Sequence, residues 1–160
     1  MIYLCIDSET TGIPARREVI TSPSYPHLVE IAGLLVDEDE REISSFDFIV
    51  RPEGWVIPDE AAAVHGISQE RALQVGVPLR VAVACYTNLL RTADAVAGHN
   101  LEFDLGIISA AIYRAGGDPA RYNVVPQPTC TARLGTDVAK LAPTARMIEA
   151  GFGDRFKKPT

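Results

Sequence analysis

Two carboxylates one residue apart follow a short apolar run at the start of the chain. The run 2-IYLCI-6 is typical of a buried strand, and Asp7 and Glu9 come directly after it. Side chains two apart in an extended chain point the same way, so Asp7 and Glu9 should project together while Ser8 points away. Such a pair repels unless a cation compensates, and carboxylate oxygens suit Mg²⁺ or Mn²⁺. The alternative is a helix N-cap formed by Ser8 or Thr10, with the acids in the first turn.

A third carboxylate, Asp104, lies in a second stretch of the same kind. The segment 98-GHNLEFDLG-106 follows another predicted strand, and Asn100 precedes Asp104 by four residues, or one helical turn. Strand ends of open α/β sheets meet at one edge, which favours a site shared with Asp7 and Glu9. The alternative is a solvent-facing aspartate favoured by the helix dipole.

The elements that must position these residues follow from hydrophobic periodicity and turn residues. In chain order, the pattern predicts a strand at 2–6, a loop over 13–27, a hairpin of strands at 28–36 and 43–50, a helix over 78–93, a strand ending at His99, a helix over about 101–115, and a short strand leading into a helix within 128–141. This order predicts an α/β fold, with a mixed sheet covered on its faces by helices.

Length and composition limit the class of protein. With 160 residues, of which 47% are hydrophobic, one soluble domain is expected. No apolar stretch is long enough for a membrane span and no signal-type segment begins the chain, so we expect a cytoplasmic protein without membrane association. The three cysteines, Cys5, Cys85 and Cys130, lie in apolar contexts and are expected to be buried free thiols. The net charge of −6 argues against a broad basic surface for duplex nucleic acid, but not against an enzyme that reaches phosphates through metal ions.

Three segments together resemble a known enzyme family. The run DSETTG at 7–12 is similar to the first motif of the DEDD-type 3′–5′ exonucleases, the DnaQ-like family with an RNase H-like fold. The segment 98–104 resembles the second motif, with Asn100 and Asp104 at the matching positions. Between them, 57-IPDEAAAVHGIS-68 resembles the segment before the family's first long helix, with His65 in register. The resemblance implies an RNase H-like mixed β-sheet flanked by helices.

The resemblance also implies an activity and roles for particular residues. The activity is metal-dependent 3′–5′ removal of nucleotides from the 3′ ends of single-stranded or frayed DNA, or of RNA. Asp7, Glu9 and Asp104 would be the catalytic metal ligands of a two-metal Mg²⁺ or Mn²⁺ site. Ile13 would act as an apolar wedge and Phe103 as a stacking surface, within a set of substrate-binding residues comprising Thr10, Thr11, Gly12, Ile13, His65, Asn100 and Phe103. A capping or core histidine is the alternative for His65, and His99 is expected to be structural.

The family's third motif, HxxxxD or YxxxD, has no match in this sequence. No histidine follows Phe103, and Tyr113 and Tyr122 have no acid four residues on. We therefore expect residues 1–160 to form one exonuclease-like domain that ends before the helix carrying this motif, so that the fold is incomplete at its C-terminus. Asp137 and Asp154 are the candidates for a substitute ligand, although neither lies at a predicted strand end.

Two other functions stay open at this level. A catalytically impaired exonuclease fold would serve as a module for binding nucleic acid or protein. An unrelated metal-dependent phosphohydrolase would use the same strand-end acids without preferring 3′ ends. A DNA polymerase is a candidate partner, and an apolar patch left by the missing helix would favour a homodimer.

Overall fold

The computed structural model describes the backbone of residues 1–139 and the side chains of residues 1–135. Within that part, the strands are β1 (Ile2–Thr10), β2 (Leu28–Asp37), β3 (Glu42–Ile49), β4 (Ala95–Gly98) and β5 (Pro128–Cys130). They form one sheet in the order β3-β2-β1-β4-β5. The pairs β1–β2 and β2–β3 are antiparallel, whereas β1–β4 and β4–β5 are parallel. The predicted mixed sheet is confirmed.

Six helices lie in the same part of the chain. They are α1 (Asp59–His65), α2 (Gln69–Val75), α3 (Leu79–Leu90), α4 (Leu101–Arg114), α5 (Pro119–Tyr122) and α6 (Thr131–Ala139). The hairpin, α3, α4 and the short strand before α6 agree with the prediction. Helices α1, α2 and α5 were not predicted, because an apolar stripe needs more turns than they contain to stand out in a sequence. None of the described helices has the length and apolar character needed to cross a membrane.

The main core lies between one face of the sheet and helices α3 and α4. Leu4 and Ile6 of β1 are buried there, because alternate side chains of a strand point to the same face. They pack in a cluster that includes Tyr86 of α3 and Ile108 of α4. A smaller cluster joins the start of β2 to α1 and α2 through Val29, Ile57, Ile67 and Ala72.

The opposite face of β1 to β3, here called the open face, carries Cys5, Asp7, Glu9, Glu30, Ala32, Leu34 and Asp47. Cys5 and Asp7 are exposed, and Leu34 is 38% exposed. The apolar run predicted a buried strand, but within the described part of the chain only the face of β1 with Leu4 and Ile6 is buried. Cys5, Cys85 and Cys130 are free as expected, but they are not buried: Cys5 is exposed and the other two are half-buried.

Candidate functional site

Asp7 and Glu9 lie side by side on the open face near the end of β1. The strand continues to Thr10, farther than predicted, because Asp7 pairs with Ala32 and Glu9 with Glu30 across the antiparallel ladder of β2. Thr10 is buried on the other face. Since no helix begins at these residues, the N-cap alternative does not hold.

Two further acids lie on the same face as Asp7 and Glu9. Glu30 lies directly opposite Glu9, and Asp47 of β3 pairs with Ala32. Burial, together with the negative charges of Asp47 and Glu9, raises the pKa of Glu30, and the nearby Arg71 of α2 only partly opposes this. The open face thus concentrates negatively charged carboxylate oxygens, the type of ligand that Mg²⁺ and Mn²⁺ prefer. Glu30 and Asp47 were missed in the sequence, because only the register of the hairpin brings them here.

Asp104 reaches β1 from the helix-covered side. It lies in the first turn of α4, is only 2% exposed, and accepts a hydrogen bond of 2.6 Å from the Ser8 hydroxyl. Burial raises the pKa of Asp104 to about 6; the Ser8 hydrogen bond opposes this shift and the charge of Asp7 adds to it. The solvent-facing alternative for Asp104 is therefore wrong.

The structure brings the three predicted metal ligands to one strand end but not into one cluster. Asp7 and Glu9 share the open face, whereas Asp104 meets Ser8 on the opposite face. Within the described side chains, no three histidine, cysteine, aspartate or glutamate residues are grouped so as to hold a metal ion. The Asp137 side chain and all of Asp154 lie outside the described residues.

The segment after β1 forms a tight turn beside the two acids. The Thr10 hydroxyl donates a hydrogen bond to the Gly12 carbonyl. Two hydrogen bonds join Thr11 and His27: the Thr11 N–H donates to the His27 carbonyl at 3.0 Å, and the His27 N–H donates to Thr11 Oγ1 at 2.9 Å. A Cβ placed on Gly12 would meet no atom of the described residues within 4 Å, apart from its two chain neighbours, so the surface above it is open in that part of the chain. Ile13 follows with 60% of its surface exposed.

His27, to which no role was assigned from the sequence, lies against this turn. Its ring stacks on Trp55 with centroids 4.7 Å apart and an interplanar angle of 10°. Burial, with a smaller contribution from the charge of Arg114, lowers the pKa of His27 to about 4, so the ring is neutral at pH 7. No sequence pattern links these two residues, since each lies in irregular structure.

His65 ends α1, immediately before Gly66 in the left-handed conformation at φ 76°. Its Nδ1 accepts a hydrogen bond of 3.1 Å from the Ile67 N–H. Because Nδ1 is the acceptor, Nε2 carries the proton of the neutral ring. Nε2 is buried and has no hydrogen-bond partner within the described part of the chain. The capping alternative thus accounts for one ring nitrogen and leaves the other as a buried donor.

The start of α4 holds the last two predicted substrate residues. Asn100 has the left-handed conformation at φ 58°, which asparagine tolerates better than most residues, and its carbonyl accepts a hydrogen bond from the Phe103 N–H. Phe103 is half-buried against the main core, so part of the ring stays accessible. His99, expected to be structural, lies 3.4 Å from the Thr131 hydroxyl through its Nδ1.

A family model described as exonuclease, of the RNase T type, matches residues 4–149. The chain belongs to the exonuclease family. This match covers all five described strands except Ile2 and Tyr3 of β1, and it confirms the resemblance noted in the three sequence segments. Comparison with curated protein sequences finds no significant match to this exonuclease-family chain.

Solved structures with the same fold support the assignment of the architecture. A complex of E. coli exonuclease I with a dT13 oligonucleotide has a TM-score of 0.70 and 19% identity, covering 90% of this chain and 31% of that one. The ExoI/SSB-Ct complex gives 0.70 and 20%, with coverages of 90% and 31%. A third structure of exonuclease I gives 0.69 and 20%, with 89% and 30%. The exonuclease-family chain therefore has the RNase H-like fold and spans about a third of the length of these relatives.

Proposed function

We propose that this exonuclease-family chain removes nucleotides from the 3′ end of single-stranded nucleic acid in a metal-dependent reaction. The observation that carries the proposal is the pair Asp7 and Glu9 on the open face, next to the turn at Gly12. The pair offers carboxylate oxygens where the protein supplies little positive charge. The turn offers open backbone to which a nucleotide can come close.

Asp7 and Glu9 would hold the metal ions, and Asp104 would contribute from the other side of the strand end. Bound Mg²⁺ or Mn²⁺, in a two-metal site, supplies activation of water and stabilisation of charge on the phosphate and leaving oxygen. The excess of acids on this face, with the raised pKa of Glu30, supports a cation at this position. Among these acids, Asp7 is exposed to solvent and therefore accessible to an incoming ion.

The other residues would bind and orient the terminal nucleotide. Thr10 and Thr11 hold the turn, so that Gly12 offers its backbone to the nucleotide. Ile13 would wedge against the last bases, and Phe103 would stack on one of them. The Nε2–H of His65 is a buried donor suited to an oxygen of the terminal phosphate or sugar. Asn100 would set the backbone at the start of α4.

The test is release of nucleotide from a single strand labelled at its 3′ end. Asp7→Asn and Glu9→Gln should each lower the rate at least roughly 100-fold and weaken Mn²⁺ binding, because even groups that only support metal ligands are worth 10- to 100-fold. Asp39→Asn, in the turn between β2 and β3, is the matched control and should behave as wild type. Wild-type rates in both site variants would refute the proposal.

A binding module is the second candidate, favoured by the absence of a three-residue metal cluster among the described side chains. This candidate predicts that the chain binds a single strand but releases no nucleotide in Mg²⁺ or Mn²⁺. A general phosphohydrolase would instead release phosphate from simple esters without a 3′ end. The exonuclease proposal also includes a single domain over residues 1–160, the need for a third acidic motif, a polymerase partner, a homodimer and a cytoplasmic location.

A further inference from the structure

A tight turn carrying two arginines stands in the loop that follows the candidate site. The Glu18 N–H donates to the Ala15 carbonyl at 3.0 Å, so that Arg16 and Arg17 are the two central residues of the turn. Arg17 has a φ of 64°, a conformation that costs a non-glycine residue energy and shows that the backbone is held by its surroundings. Both arginines are exposed.

The acid that follows the two arginines, Glu18, forms hydrogen bonds within the loop. The Glu18 carboxylate accepts hydrogen bonds from the Ala15 N–H at 2.9 Å and from the Ser24 hydroxyl. These bonds, the Ser24 bond most of all, lower the pKa of Glu18 and keep it ionised inside the loop. No ion pair of Arg16 or Arg17 occurs within the described part of the chain, so their charges face solvent.

The loop is fixed to the body of the protein at both ends. Thr11 and His27 close its base through their two hydrogen bonds. The Arg114 guanidinium of α4 donates to the carbonyls of Tyr25 and Pro26. The base of the loop is therefore fixed at the end of β1, and the turn begins at Ala15, four residues after Thr11.

The two arginines are near enough to Gly12 to contact a nucleic-acid strand whose 3′ end lies at that glycine. Arg16 follows Gly12 by four residues, which places its Cα within about 14 Å of the glycine Cα even in a fully extended chain. The open face is acidic and the net charge is −6, so phosphates beyond the terminal one have few cations near them. Guanidinium groups suit phosphate oxygens because they donate in a planar fork.

We propose that Arg16 and Arg17 bind backbone phosphates of a single strand, upstream of its 3′-terminal nucleotide. This inference rests on the proposed function, since it assumes that the terminal nucleotide lies at Gly12. Two adjacent cations on a narrow turn fit one flexible strand, whereas a duplex would call for a broad basic surface. The turn thus extends the binding site beyond the nucleotide that is removed.

The test measures binding of the full chain to a labelled thymidine oligonucleotide in EDTA, where no metal supports turnover, at several salt concentrations. The Arg16→Gln/Arg17→Gln variant should show a slope of log affinity against log salt that is less steep by about 1.4, since each phosphate contact on a single strand contributes about 0.7. The same relation predicts roughly 25-fold weaker binding than wild type at about 0.1 M salt, relative to about 1 M salt, where the two affinities are taken as equal. Arg91→Gln, at the end of α3, is the control and should keep the wild-type slope.

Two single variants separate charge from backbone shape. Arg17→Gly removes the charge and the strain of the positive φ, so this variant should fold at least as stably as wild type. Its salt slope should differ from wild type by about half as much as that of the double variant. Arg17→Lys keeps the charge and should keep most of the slope. An unchanged slope in the double variant, or an equal change in Arg91→Gln, would overturn the inference. If Asp7→Asn still abolishes nucleotide release in that case, the proposed nuclease function survives without it.

Discussion

The hydroxyl of Ser8 and the carboxylate of Asp104 form a 2.6 Å hydrogen bond between residues 96 positions apart in the chain. The bond joins the strand that carries Asp7 and Glu9 to the helix that carries the third predicted ligand. It therefore fixes the position of α4 relative to the acids of the open face. Ser8 was expected either to point away from Asp7 and Glu9 or to cap a helix, and the structure shows that it points away and contacts Asp104.

Replacing Ser8 by alanine should destabilise the chain and lower any nuclease activity. The variant leaves a buried carboxylate without this donor, and a hydrogen bond to a charged group contributes roughly 1.5–3 kcal/mol. Urea denaturation at about pH 8, where Asp104 is ionised, should show a loss in the free energy of unfolding of that order. Ser8→Thr keeps the hydroxyl and should recover most of the loss; equal stabilities of the alanine and threonine variants would argue against the bond.

Asp104 and His27 should give opposite pH dependences of stability when no divalent ion is present. Burial raises the pKa of Asp104 from 3.8 to about 6, so the folded chain binds more protons and its stability falls as the pH rises through that window. Burial lowers the pKa of His27 from 6.5 to about 4, so stability rises with pH over nearly the same window. The two contributions should partly cancel in the wild-type protein.

Single variants should expose each contribution in denaturation curves measured between about pH 4 and 7. Asp104→Asn should leave a stability that rises with pH. His27→Phe, which preserves a ring against Trp55, should leave a stability that falls with pH, by up to about 3 kcal/mol for the Asp104 shift. If the Asp104→Asn curve runs parallel to wild type, Asp104 does not titrate in this window.

Phe103 and Ile13 should contribute to binding of the strand rather than to binding of metal. Phe103→Ala should weaken single-strand affinity by roughly 1–3 kcal/mol, the usual contribution of a base stacked on an aromatic ring, and Ile13→Ala by less. Manganese affinity should not change in either variant. Because Phe103 is half-buried against the core, its melting temperature should be measured as well. A lower melting temperature of Phe103→Ala with unchanged affinity would show that the ring belongs to the core.

His65→Ala should lower kcat/KM for nucleotide release by roughly 10- to 100-fold, the equivalent of one hydrogen bond to a charged group. Because Nδ1 also accepts the Ile67 N–H, some stability will be lost as well. His65→Asn separates the two roles, since its short side chain can accept the local backbone bond without extending to the position of Nε2. Full activity of the asparagine variant would assign His65 a structural role alone.

The sequence predicts the long elements well and the site only in part. Strand β1, the hairpin, α3 and α4 each carry an apolar pattern long enough to read. The register between β1 and β2 does not follow from the pattern, yet it alone brings Glu30 opposite Glu9, and a slip of one residue would turn Glu30 to the other face. The burial of Asp104 could not be predicted from the sequence either, because the first turn of a helix favours an exposed acid as much as a buried one.

The paired hydrogen bonds between Thr11 and His27 make the intervening loop a self-contained insert in the sheet. Once the base of a loop is closed, each doubling of its length costs only about 0.6 kcal/mol. The tip of the loop, at Ala15–Glu18, can therefore be lengthened, shortened or given a different charge without moving β1 or its acids. Under the proposed function, this arrangement separates the arginine turn that would bind a strand from the acids that would hold the metal, so that exchanging the tip should change which strand is bound without altering the acids.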